Sequence, residues 1–125
     1  MTIEQVEVFV VEHQVVPLRA VSIAPIPTHD FCYVKLTDSD GHAGWGETYL
    51  IPGIAATIRD LAGVVLGADA TRARRLHRNV WLASEHTWAA SALSIAIDDL
   101  RGHELGLPVH ALYGGAVRDR VRAYG

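Results

Sequence analysis

The sequence predicts an α+β domain, a three-stranded antiparallel sheet followed by three helices. Three observations carry this. In the stretches 3–11, 31–37 and 42–48 the residues follow the period of two of a strand, and after residue 53 the apolar residues recur with a period near 3.6. The two patterns follow one another with little alternation, which argues against a parallel sheet with crossover helices. A run of turn formers, Asp38, Ser39, Asp40 and Gly41, joins two of the alternating stretches into a hairpin.

Residues Ile3 to Val11 place Val6, Val8 and Val10 on one face and Glu7, Phe9 and Val11 on the other, the period of a strand. From Val16 to Asp30 the alternation dissolves. Pro17, Pro25 and Pro27 remove ladder donors there, so the segment is expected to be a loop. A loop of that length in a small domain is usually functional or mobile. Phe31 to Thr37 alternates again, with Cys32, Val34 and Leu36 facing one way, and His42 to Thr48 returns as the third strand. Tyr49 to Gly53 is a short loop. The first helix then carries Ile54, Ile58, Leu61 and Val65 on one face and ends at Gly67. Asp69 is placed to cap a second helix with an apolar line of Ala73, Leu76, Val80 and Ala83, and arginines 72, 74, 75 and 78 on a solvated face.

The third helix is the most strongly patterned. Ala89, Ala92, Leu93, Ala96, Ile97 and Leu100 share one side, with Ser91, Ser94, Asp98 and Arg101 opposite. Thr87 is placed to cap its start, while Gly106 and Pro108 stop it. Asp99 falls at the edge of the apolar stripe, where a carboxylate needs a partner, and His103 one turn on is the nearest candidate. After Gly115 the alternation of Val121 and Ala123 with Arg120, Arg122 and Tyr124 reads as the start of one more strand.

With 125 residues, 50% hydrophobic and 20% charged, the chain is long enough for one core. A net charge of -3 speaks against nucleic acid, since a mildly acidic chain repels phosphate. No apolar run is long enough to span a membrane, and the polar start MTIEQVE is unlike a signal peptide. The single cysteine, Cys32, has no partner for an internal disulfide and is read as a buried core thiol; a cytoplasmic location is the simplest setting. The seven histidines form no H-x-H or H-E-x-x-H pair, so no structural zinc site is expected. The G-W-G-E stretch is not a dinucleotide-binding loop, because it belongs to a hairpin and does not open a helix.

Two motifs carry a resemblance. Ala96-Ile97-Asp98-Asp99-Leu100-Arg101-Gly102-His103, followed by Gly106, Pro108, Leu112, Gly114 and Gly115, resembles the junction segment of the mandelate racemase and muconate lactonizing enzyme group of the enolase superfamily. Asp40 to Glu47, D-G-x-x-G-W-G-E, is a second match at consistent spacing. Asp98 stands where an aromatic is common in that pattern, and His103 where lysine is common. The resemblance implies an enolase-type amino-terminal capping domain over residues 1–115, with 116–125 beginning the first strand of a (β/α) barrel that is otherwise missing.

Complete family members abstract a proton beside a carboxylate with a lysine or histidine base, and Mg2+ holds the enediolate. Those groups sit on barrel strands. This chain contains no K-x-K pair, and Lys35 is its only lysine, so the resemblance implies no catalytic and no metal-binding residue here; Mg2+ belongs to the complete enzyme. What it implies for the cap is two loops that exclude water and select the substrate's distal end. By position these carry Arg19 and His29 in the first loop and Tyr49 and Ile51 in the second, with Glu47, Asp99, Gly114 and Gly115 in structural roles. Thr28, His29 and Arg19 lean toward a hydroxylated acid, which favours an acid-sugar dehydratase or racemase over a cycloisomerase. The implied partners are a carboxy-terminal barrel, a small hydroxy-acid or sugar-acid substrate and a homo-oligomer. The alternative is a stand-alone non-catalytic module for binding or oligomerisation, built on the same fold.

Overall fold

The computed structural model describes residues 1–21 and 24–123, with side chains described outside 17–27. Three strands, β1 (Ile3–Val21), β2 (Ala24–Asp38) and β3 (Ala43–Tyr49), form one antiparallel sheet in that order. The helices α1 (Ile54–Val65), α2 (Ala73–Ala83) and α3 (Thr87–Leu105) follow, with a short α4 (Val109–Leu112) at the exit. The α+β architecture is therefore the one expected from the change of period.

The largest departure lies in the segment expected to be a loop. β1 and β2 continue past residue 11 as a two-stranded arm, paired from Val11 with Phe31 out to Val21 with Ala24. β3 ends opposite Phe31, so beyond that point β2 has β1 alone as neighbour. Every second N–H of the arm then has no ladder partner to lose, and Pro25 and Pro27, two apart, share one edge of the strand. Pro17 falls within a register shift between Gln14 and Arg19, where the ladder is interrupted. Proline thus shapes this arm without abolishing it. Ser22 and Ile23, between the two strands, lie outside the described residues.

The inner face of the sheet buries Cys32, Val34 and Leu36 under α3 and Ile3 beside α1, and the predicted α3 stripe of Ala89, Ala92, Leu93, Ala96, Ile97 and Leu100 is buried throughout. Burial of this layer stabilises the fold at roughly 25 cal/mol per Å2 of apolar surface removed from water. In α1 the predicted face of Ile54, Ile58, Leu61 and Val65 is buried as expected. In α2 Leu76 and Val80 are buried, whereas Ala83 at the end of its line is exposed. Cys32 is a buried thiol on β2, and burial raises its pKa against a smaller lowering by Arg59.

Helix α3 rests on β3 with almost no space between the backbones. Gly44 and Gly46 face it, and a methyl group on Gly46 would overlap the carbonyl oxygen of Ala92, while one on Gly44 would overlap the backbone of Ala96 and Leu100. The alanines at 92 and 96 are the complementary half of this approach. In the sheet alternation Trp45, Glu47 and Tyr49 point to the opposite, outer face.

Helix ends depart in detail. Asp69 caps as expected, accepting from the Thr71 N–H at 3.0 Å, but the element it starts is a short 3-10 turn (Ala70–Arg72) that leads into α2. Thr87 is the first residue of α3 and not its cap. His86 holds the cap position without a side-chain bond, and Ser84 closes the preceding turn by accepting from the His86 N–H at 3.0 Å. Gly106 ends α3 in the left-handed region, and Pro108, in extended backbone, is the cap residue before α4. Residues 116–123 form neither helix nor strand, so the further strand expected after Gly115 is not formed among the described residues.

Candidate functional site

The sheet order brings three structures to one end of the domain. The β1–β2 arm leaves there, Tyr49 to Gly53 leads from β3 to α1, and α3 begins beside Tyr49. The opposite end holds the β2–β3 turn.

His29 lies on the arm, opposite His13, with its ring exposed and 6.1 Å from Phe31. Arg19 is on the same arm, paired through its backbone with Ile26; its side chain lies outside the described residues. Tyr49 is the last residue of β3. It is 62% exposed and stacks on Phe31 at 5.9 Å between ring centroids. Ile51 is different: it packs partly buried against the core, and its carbonyl accepts from the Ile54 N–H at 3.1 Å to start α1. It lines a shallow groove with Leu50, Pro52 and Gly53, so it shapes the loop as much as it presents a surface.

Sequence reasoning missed the groove beside Tyr49. Phe31, Glu47, Thr48, Tyr49, Trp88 and Ser91 line it, with the Trp88 ring 6.0 Å from that of Tyr49. The proximity of Trp88 to Tyr49 depends on α3 lying along β3, which no local pattern reveals. Glu47 sits opposite Tyr33 in the sheet, and the Tyr33 phenol is raised by burial and by the neighbouring Glu47 carboxylate.

Asp99 takes a partner that sequence spacing did not suggest. Its Oδ2 accepts from the Trp45 backbone N–H at 2.8 Å, whereas His103 Nε2 stands at 3.7 Å. The carboxylate thus ties α3 to β3 midway between Gly44 and Gly46, where the two backbones already touch. The side chain is 34% exposed, so the charge at the edge of the stripe is only partly withdrawn from solvent. Asp99→Ala is accordingly expected to destabilise by about 1 kcal/mol, one solvent-discounted hydrogen bond to an ion. Urea denaturation checks this, and a loss above about 3 kcal/mol would mean that the carboxylate is far more deeply involved.

Gly114 and Gly115 adopt φ of 94° and 103°, where a side chain is strained, and the Gly115 N–H donates to the His110 carbonyl at 3.0 Å. The pair turns the chain away from α4. Among the described residues no three His, Cys, Asp or Glu side chains are grouped to hold a metal ion. The donors present therefore do not fit a Mg2+ site, and no chemical step is assigned to one in this chain. No helix of the described residues is long and apolar enough to cross a membrane.

An antiparallel sheet backed by helices, with an arm and a short loop at one end, is the layout of an enolase-type capping domain. Residues 5–114 match the family model for the mandelate racemase / muconate lactonizing enzyme amino-terminal domain, and the chain belongs to that family. D-galactonate dehydratase from Xanthomonas campestris pv. campestris (strain B100) is 33% identical over 101 residues, covering 74% of this chain and 26% of the relative. Muconate lactonizing enzyme from Pseudomonas putida is 27% identical with a TM-score of 0.83, over 95% of this chain and 34% of that one. The enzyme of the same name from Pseudomonas fluorescens, complexed with muconolactone, is 25% identical with a TM-score of 0.85, over 94% and 35%. The chain therefore spans about a quarter of the curated relative and a third of the solved enzymes.

Proposed function

We propose that this domain closes the active site of a Mg2+-dependent enzyme acting on a hydroxy acid or sugar acid, a dehydratase or racemase, whose chemistry is carried by a barrel. The observation that carries the reading is the meeting of the arm, the Tyr49–Gly53 loop and the start of α3 at one end of the sheet. Two peptide segments of different origin that meet at one edge can cover a barrel mouth and exclude water from it. The D-galactonate dehydratase relatives support a sugar acid over a diacid. When bound by the barrel, Mg2+ would stabilise the enediolate charge. The cap's part is to orient the substrate and to select its distal end, through His29 and Tyr49, with Arg19 on the same arm and Ile51 shaping the second loop. Residues 1–115 form this cap in our reading, and 116–125 lead into the barrel.

Exposed apolar side chains at the exit support a barrel docked there: Leu105, Leu107, Val109, Tyr113, Val117 and Val121 lie together in sequence and open to solvent. The test is to assay this chain with Mg2+ over a panel of hydroxy and sugar acids, alone and mixed with a separately produced barrel half of a relative. Activity is expected only in the mixture. Activity or tight Mg2+ binding by the 125 residues alone would overturn the reading. Failure to bind the barrel, together with self-association, would favour a stand-alone oligomerisation module. In the active mixture, His29→Ala and Tyr49→Ala are expected to change the ratio of kcat/KM between substrates several-fold while altering stability by less than about 0.5 kcal/mol. An equal loss across the whole panel would remove both residues from the specificity surface.

A further inference from the structure

Asp98, one of the two residues that depart from the family pattern, is engaged by two other elements. Its Oδ1 accepts from His77 Nε2–H of α2 at 2.8 Å, and its Oδ2 from the Tyr113 hydroxyl at 2.6 Å, just beyond α4. The side chains of His77 and Asp98 are only 21% and 19% exposed. Arg74 and Arg101 are the other charged groups lining the pocket around them, and Ala73 and Leu112 complete it.

Tyr113 itself is 67% exposed, so its ring is held mainly through its hydroxyl. That bond is charge-assisted and short. The hydrogen bond to Asp98, then burial, then the carboxylate charge push the Tyr113 phenol up to about 12. The phenol therefore stays a donor throughout the pH range in which proteins work. Gly114 and Gly115 follow at once, so the tether acts on the residue immediately before the chain turns.

We propose that Asp98 is a positioning residue which, with His77 and Tyr113, fixes the direction in which the chain leaves the cap and thereby how the cap seats on a barrel. The three side chains join α2, α3 and the exit of α4 through one carboxylate, so the exit cannot swing without breaking a charged hydrogen bond. The inference rests on the reading of this chain as a cap, and it adds the residues that set the cap's orientation. An aromatic at position 98 could pack, but it could not accept from both neighbours at once.

The test is amide hydrogen exchange on the 125-residue chain, comparing the unmodified protein with Tyr113→Phe and Asp98→Asn. The Tyr113 and Gly115 amides donate to the His110 carbonyl and that of Gly114 to Ala111, so they report directly on the exit. Exchange of these three is expected to quicken at least tenfold in both variants, with Leu93 and Ala96 in the helix core unchanged. Tyr113→Phe removes a single exposed-ring hydroxyl and keeps the test open if Asp98→Asn fails to fold. Unchanged exchange at 113–115, or equal acceleration across α3, would overturn the clamp. The affinity of each variant for the separately produced barrel is then expected to fall at least fivefold. Local loosening with unchanged affinity would overturn the positioning role. No binding by the unmodified chain would instead sink the cap reading and the positioning role with it, while the exchange contrast would still report whether the clamp exists.

Discussion

Gly46→Ala is expected to cost about 3 kcal/mol or more, lowering the melting temperature by roughly 10 °C or more. The reason is geometric. The new methyl would overlap the carbonyl oxygen of Ala92, a backbone atom in the middle of a regular helix. A flexible side chain could rotate away, but here either α3 must lift from the sheet or β3 must bend. Lifting α3 would separate Ala92, Leu93, Ala96 and Ile97 from the inner face and stretch the Trp45 to Asp99 hydrogen bond. Gly63→Ala is the contrast. Gly63 lies in α1 with open space around it, and replacement there is expected to stabilise by about 0.5–1 kcal/mol through helix propensity. Thermal melts of the two variants check both signs. A Gly46→Ala protein within about 1 kcal/mol of the original would mean that α3 and β3 are not in backbone contact.

Asp38→Ala is expected to cost about 3 kcal/mol, because it breaks a buried, fully hydrogen-bonded carboxylate. Asp38 ends β2 and is 3% exposed. Its Oδ1 accepts from the backbone N–H groups of Asp40 and His42, each at 2.9 Å, and its Oδ2 lies 3.1 Å from His42 Nδ1. Truncation would leave those turn donors unpaired at the only connection between β2 and β3. Burial opposes the charge, but the His42 and Asp40 amides and the His42 ring outweigh it and hold the carboxyl below its ordinary value. A group whose folded pKa is lowered contributes stability that is complete above its unfolded pKa, about 3.9, and is lost as pH falls through the folded value. Denaturation curves should therefore show the protein weakening below about pH 4, with a smaller acid dependence in Asp38→Ala. Identical acid profiles for the two proteins would show that the carboxylate carries no such linkage.

Much of the fold was legible because the information is local. The stripe of α3, the face of α1 and the Asp38 to Gly41 turn follow from period and turn chemistry within a few residues. The family itself was legible in the G-W-G-E and Gly114-Gly115 motifs. The arm was not, because proline is a breaker only where its missing donor would have been used, and that depends on β3 ending at Tyr49. Of the candidate site, Tyr49 was expected to open the loop after the third strand and is instead the last residue of β3, and its neighbour Trp88 lies on a helix brought alongside by packing.

Taken alone, then, the sequence determined the period of each element, the order of strands before helices and the membership of a family, since these depend on neighbours a few residues apart. The tertiary structure decided which groups meet. Asp99 accepts its hydrogen bond from the Trp45 N–H, 54 residues away, while the histidine one turn along stands at ion-pair distance. Asp98 found His77 and Tyr113, on two other elements. The two glycines of G-W-G-E became the floor on which α3 rests. Hydrogen bonds and steric contacts act over about 3 Å in space, and only the packing of α3 on β3 brings those distant residues within that range.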